Sequence, residues 1–152
     1  GMALAAKHTG KANRVYSLLG DGEIQEGQVW EACMAAAHYK LDNLCIIIDN
    51  NGLQIDGNIA DVMSPYPIVD KLVAFGFEVA AVDGHNFDEL EAAFNKARET
   101  KGKPFAIVMN TIKGKGATFA EPKHDHSSQP KEEQWVEAIA AAEKALEEIK
   151  NA

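Results

Sequence analysis

Leu44-Cys45-Ile46-Ile47-Ile48-Asp49-Asn50-Asn51-Gly52 decides the fold class of this chain. Five consecutive apolar residues leave no polar face, so a strand here must be covered on both sides, as the strands of parallel sheets are. Asp49-Asn50-Asn51-Gly52 then stops it with strong turn chemistry. Upstream, Val15-Tyr16-Ser17-Leu18-Leu19 is a short β-rich run ending at Gly20. Between the two runs, Trp30, Cys33, Met34 and Ala37 recur at i, i+3, i+4 and i+7, one face of a helix. Downstream, Ser64-Pro65-Tyr66-Pro67 is a loop, and Ile68, Val69, Leu72 and Phe75 mark a short helix. Phe77 to Val82 reads as a strand. Phe87, Leu90, Phe94 and Ala97 mark another helix, with Asn86 as its cap. Phe105 to Met109 is a further buried strand. From Lys131 a last helix carries Trp135, Ile139, Ala142, Leu146 and Ile149 on one stripe, expected to dock on the sheet rather than on a partner.

Strands alternating with helices predict an α/β fold, a three-layer α/β/α arrangement around a mostly parallel sheet. At 152 residues the chain suits one domain and is too short for two ordinary ones. Lys plus Arg number 15 against 23 Asp plus Glu, a net charge of −8. That balance argues against a nucleic-acid partner or an anionic membrane surface, which need clustered positive charge. No apolar stretch approaches the length of a membrane helix, and no charged-then-apolar leader opens the chain. Cys33 and Cys45 have no CxxC partner and read as buried small hydrophobes of a reduced, cytoplasmic protein. Gly1-Met2-Ala3-Leu4-Ala5-Ala6-Lys7 reads as the middle of a helix without a start signal.

Parallel sheets place ligands at the carboxyl ends of their strands. That rule singles out Gly20-Asp21-Gly22, Asn50-Asn51-Gly52, Asp83-Gly84-His85 and the basic loop Lys113-Gly114-Lys115-Gly116. Two glycines at a strand-to-helix junction let backbone N–H groups approach a phosphate. Asp21 would repel a bare phosphate, and the pairing makes sense with a divalent cation between them. Magnesium binds one or two protein oxygens plus substrate phosphates at about 2.0–2.1 Å. Asn51 offers a neutral side-chain carbonyl, and the following residues a backbone one. A purely structural turn is the alternative at each motif.

Taken together, the motifs are specific. Gly22 and Asn50 are separated by 27 residues, room for one helix and one strand. This resembles the paired signature of thiamine-diphosphate enzymes. The string from Gly20 to Ala32, Gly-Asp-Gly-Glu-Ile-Gln-Glu-Gly-Gln-Val-Trp-Glu-Ala, is similar to the transketolase family. Ile48 to Gly57, Asp83-Gly84-His85-Asn86, Gly102-Lys103-Pro104 and Thr111 to Gly116 match its later motifs in order.

The resemblance implies roles. Asp21, Asn51 and the backbone carbonyl of Leu53 match the family's ligands for magnesium (or calcium). Gly20 belongs to the cofactor turn, and Gly22 matches the residue whose amide meets the diphosphate. Lys113 matches a lysine near the diphosphate, a solvated loop charge being the alternative. Ile55 and Ile112 pack near the cofactor or in the core. Glu26 matches a glutamate of an acidic network near a subunit interface, or simply favours a helix N-terminus. The family's Trp-His-Gly is replaced here by Glu121-Pro122-Lys123-His124-Asp125-His126-Ser127-Ser128. His126 is the better match for the histidine that contacts cofactor phosphate or substrate, with His124 the alternative.

In the family, further segments precede the stretch matched by Gly1 to Lys7, and a pyrimidine-binding domain supplies the glutamate that activates the cofactor. The resemblance therefore implies that residues 1–152 are the later part of a thiamine-diphosphate-binding domain, a partial fold without the pyrimidine-binding domain. Such a piece would bind thiamine diphosphate and take part in two-carbon ketol transfer between sugar phosphates, in the pentose phosphate pathway, but not catalyse it alone. Its expected partners are a pyrimidine-domain chain or segment and further copies in a homo-oligomer. Deoxyxylulose-phosphate synthase, dihydroxyacetone synthase and a non-catalytic α/β binding module are the competing readings.

Overall fold

The structure, a computed structural model, describes residues 1–121 and 129–151. Four strands form one sheet: β1 (Val15–Gly20), β2 (Leu44–Asn50), and, after a small hairpin of β3 (Leu53–Gln54) and β4 (Gly57–Asn58), β5 (Glu78–Asp83) and β6 (Phe105–Asn110). The order is β1-β2-β6-β5, and every pair in it is parallel. The registers Gly20↔Asp49, Asn50↔Asn110 and Asp83↔Asn110 bring the carboxyl ends of all four strands to one edge.

Helices cover both faces, as three layers require. On one face lie α1 (Met2–His8), α2 (Gly27–His38) and α4 (Ile68–Ala74); the one-turn helix α3 (Ile59–Val62) follows the hairpin. Ala3, Cys33, Ala36, Ile68 and Leu72 from that layer pack with Ile46, Ile48, Ala106 and Val108. On the other face α5 (Phe87–Glu99) sets Ala93 and Ala97 against Cys45, Val82, Phe105 and Ile107. Strand β2 thus sends Cys45 to one core and Ile46 and Ile48 to the other, which is why Leu44 to Ile48 has no polar face. Asn86 caps α5 by accepting from the N–H groups of Asp88 and Glu89. Both cysteines are free and buried, and burial pushes each thiol up to about 11. Among the described residues no helix is long and apolar enough to cross a membrane.

Three expectations about helix faces need correction. Met34 and Phe87 lie on the solvent side of α2 and α5, 54% and 86% exposed. The small residues Ala36 and Ala93 take the buried positions, because small side chains let a helix approach the sheet closely. The last helix, α6 (Glu132–Lys150), buries no residue at all. Trp135, Ile139, Leu146 and Ile149 are all exposed, so this stripe does not dock on the sheet. Among the described residues its one ring contact is the edge of Trp135 against Phe119, centroids 5.6 Å apart.

Candidate functional site

A cleft of about 780 Å³ opens at the carboxyl edge of the sheet. It is lined by residues after each of the four strands, among them Gly20, Asp21, Asn51, His85 and Lys113. The crossover connections of a parallel sheet leave this edge open, and the loops there are free to hold a ligand.

Asp21 follows β1 directly and is tied to β2 by its N–H, which donates to the Asp49 carbonyl at 3.1 Å. Among the described residues it is the one charged side chain that the fold buries, with 1% of its surface exposed. Its Oδ1 accepts from the Gly22 N–H at 2.8 Å and its Oδ2 from the Gly52 N–H at 2.6 Å. Gly52 has φ +75, so the Asn-Gly turn folds its amide back toward Asp21, a conformation glycine adopts without strain. Burial raises the Asp21 carboxyl above its ordinary value; the two backbone donors oppose that, and the nearby Asp49 charge adds to it. A buried carboxylate held by neutral donors and pressed by a second carboxylate is electrostatically suited to a cation.

Asn51 stands after β2, the neighbour of β1. Its Nδ2 donates to Asp49 Oδ2 at 3.2 Å, and its Oδ1 accepts from the Leu53 N–H at 3.0 Å. Leu53 also lines the cleft. The donor set is therefore oxygen only, the chemistry of magnesium or calcium. Among the described residues no three His, Cys, Asp or Glu side chains gather as a metal cage. A hard cation here needs further oxygens, which a diphosphate supplies.

The glycines of the first turn are placed by space and hydrogen bonding. A Cβ on Gly22 would meet Gln54 Cβ at 3.2 Å. The Gly22 N–H is engaged by Asp21, and the Gly20 N–H donates to Glu23 Oε2 at 3.1 Å. Only a single 3-10 turn, Glu23–Gln25, follows this turn before α2 starts at Gly27, so no long helix begins at Gly22. Glu26 is the N-cap residue of α2 and makes no side-chain capping bond.

Ile55, at the tip of the β3–β4 hairpin, is 71% exposed and Ile112 is 47% exposed, and both line the cleft. Neither belongs to the core, which removes the packing alternative for them. Lys113 lines the same cleft beside Ile112. His124 and His126 lie outside the described residues.

Three residues at the strand ends lie in motifs the sequence singled out, but without a role of their own. Asp49 accepts from Thr111 Oγ1 through Oδ1 while holding Asn51 through Oδ2. His85 Nε2 accepts from the Ile112 N–H at 2.8 Å, tying the turn after β5 to the loop after β6. Their contacts join segments far apart in sequence.

Comparison with known proteins agrees with this geometry. A family described as transketolase, thiamine diphosphate binding domain, matches residues 5–146. A 6-deoxy-6-sulfo-D-fructose transketolase subunit of a Clostridium species is 46% identical over 145 residues, covering 95% of this chain and 53% of that protein. Human transketolase is 43% identical over 141 residues, covering 91% of this chain and 22% of that protein. The crystal structure of transketolase from Campylobacter jejuni superposes with a TM-score of 0.85 at 33% identity, over 92% of this chain and 23% of that one. The chain thus spans about half the length of the first of these relatives, and less of the others.

Proposed function

The chain belongs to the transketolase family, within its thiamine diphosphate binding domain, and on that premise we propose that its cleft anchors the diphosphate end of thiamine diphosphate through a magnesium ion. The observation that carries this reading is the buried Asp21 carboxylate, set beside the oxygen donors of Asn51 on the neighbouring strand. Asp21, Asn51 and the Leu53 carbonyl hold the cation; calcium, also a hard ion, fits the same oxygens. Lys113 offsets diphosphate charge, which the net charge of −8 does not do. The Gly20-Asp21-Gly22 turn keeps the approach clear, and the Gly22 N–H turns from Asp21 to the diphosphate. Ile55 and Ile112 cover the apolar parts of the cofactor. His126 contacts a phosphate of cofactor or substrate.

When bound, thiamine diphosphate supplies the carbanion chemistry of two-carbon ketol transfer. This chain's residues bind it and fix its position; the group that activates its pyrimidine ring comes from a pyrimidine-domain chain or segment. Residues 1–152 then belong to the diphosphate-binding domain. They work on sugar phosphates in a cytoplasmic homo-oligomer, in the pentose phosphate pathway. The shared transketolase name of the relatives favours this over deoxyxylulose-phosphate synthase, dihydroxyacetone synthase or a non-catalytic module.

Competition tests the anchor. Magnesium pyrophosphate is expected to displace thiamine diphosphate from the chain in a calorimetric titration, whereas thiamine without phosphates is not. Displacement by thiamine alone would overturn an anchor built on the diphosphate.

A further inference from the structure

We infer that Asp49 is a positioning residue that decides which end of the Asn51 amide faces the cation. The inference rests on the magnesium anchor proposed above and deepens it. Asp49 is the second-last residue of β2, and its carboxylate sits between two loops of the cleft. Oδ2 accepts from Asn51 Nδ2 at 3.2 Å, and Oδ1 accepts from the Thr111 hydroxyl. Thr111 is in turn fixed by its N–H, which donates to the Asn50 carbonyl at 3.2 Å. One carboxylate therefore clamps the loop after β2 to the loop after β6, which carries Ile112 and Lys113.

The chemistry follows from donor and acceptor inventories. An ionised carboxylate only accepts, so the end of the Asn51 amide that faces Asp49 must be its NH2. The oxygen then points the other way. There it accepts from the Leu53 N–H at 3.0 Å and keeps a second lone pair. A hard cation takes only that oxygen. A wrongly turned amide would offer it two hydrogens. Asp49 acts through Asn51, and its own oxygens are spent on Asn51 and Thr111.

The claim is tested by removing one hydrogen bond and then reversing its polarity. In Asp49→Leu a side chain of similar size takes the place with no acceptor, so neither end of the Asn51 amide is selected. Asn51 is then free to turn over. In the double variant Asp49→Asn with Asn51→Asp, the new amide donates to the new carboxylate. The second oxygen of that carboxylate still takes the Leu53 N–H and faces the cation. Total charge is unchanged.

Magnesium-dependent thiamine diphosphate binding is measured on the whole 152-residue chain by calorimetry, with manganese binding by electron paramagnetic resonance as a direct metal readout. Asp49→Leu is expected to lose roughly 10–100-fold in metal affinity, the usual effect of removing a partner that orients a ligand. The swapped pair is expected to regain most of it. A thermal melt accompanies each variant. Should Asp49→Leu not fold, the swapped pair alone decides, because it restores the clamp. Binding that survives Asp49→Leu, or a folded swap no better than the single variant, overturns the inference while the anchor stands. A wild-type chain that binds neither magnesium nor thiamine diphosphate overturns the anchor itself.

Discussion

Gly84 gives the most quantitative handle on the site's construction. It follows β5, and its N–H donates to the Asn110 carbonyl at 2.9 Å, so its backbone is zipped to the end of β6. A Cβ placed there would lie 2.5 Å from Thr111 Cγ2, 3.0 Å from Met109 Cβ and 3.3 Å from the Asn110 carbonyl oxygen. None of these atoms is the far end of a flexible side chain, so Gly84→Ala must shift the strand end or push Thr111 away from Asp49. Overpacking of this kind costs about 1–3 kcal/mol. The lower entropy of the unfolded alanine chain offsets about 0.4–1 kcal/mol of that. Taking the middle of each range, a net loss of about 1.3 kcal/mol, at about 2–4 °C per kcal/mol for a chain of this size, lowers Tm by roughly 3–5 °C. Circular dichroism melts measure it, with Gly27→Ala as control. Gly27 opens α2, nothing lies within 4 Å of its added Cβ, and its Tm is expected to stay or rise. A Gly84→Ala chain that melts with the wild type would refute the close-approach argument.

Other expectations follow from packing and charge. Leu72 is fully buried, and Leu72→Ala is expected to cost about 2–5 kcal/mol in denaturant unfolding. Leu146 on α6 is half exposed, and Leu146→Ala should stay within about 0.5 kcal/mol of wild type; equal losses would return α6 to the core. Lys103 and Lys96 hold the Glu78 carboxyl down at about 2, against an ordinary 4.5. The stability this adds is full above pH 4.5 and is lost as pH falls toward about 2. Glu78→Gln should flatten that acid limb of a Tm-against-pH curve at low salt, and high salt should mimic it in the wild type.

The sheet was legible where sequence pattern and burial coincide. Leu44 to Ile48 is apolar throughout because β2 feeds both cores, and no solvated face was ever needed. Helix faces were less legible. In Ala-rich α2 the periodicity of Trp30, Cys33, Met34 and Ala37 points slightly past the true face, since alanine fits both sides of a helix. The stripe on α6 is real, yet periodicity reports a stripe and not what it meets. At the site, Asp21 and Asn51 stood out because turn chemistry and spacing are local. Asp49, Thr111 and His85 lay in motifs that stood out, but their roles did not, because their contacts cross between strands, 62 residues apart for Asp49 and Thr111. The expected backbone role of Gly22 was legible, but not that Asp21 already engages its N–H.

The central claim is that a cation on Asp21 joins this chain to a diphosphate. Its most direct test is calorimetric titration of thiamine diphosphate into wild type and Asp21→Ala, each with magnesium and with chelator. The account predicts binding to wild type that requires magnesium, and its loss in Asp21→Ala while the fold persists. Equal affinity with chelator present, or undiminished binding in a folded Asp21→Ala chain, would contradict it.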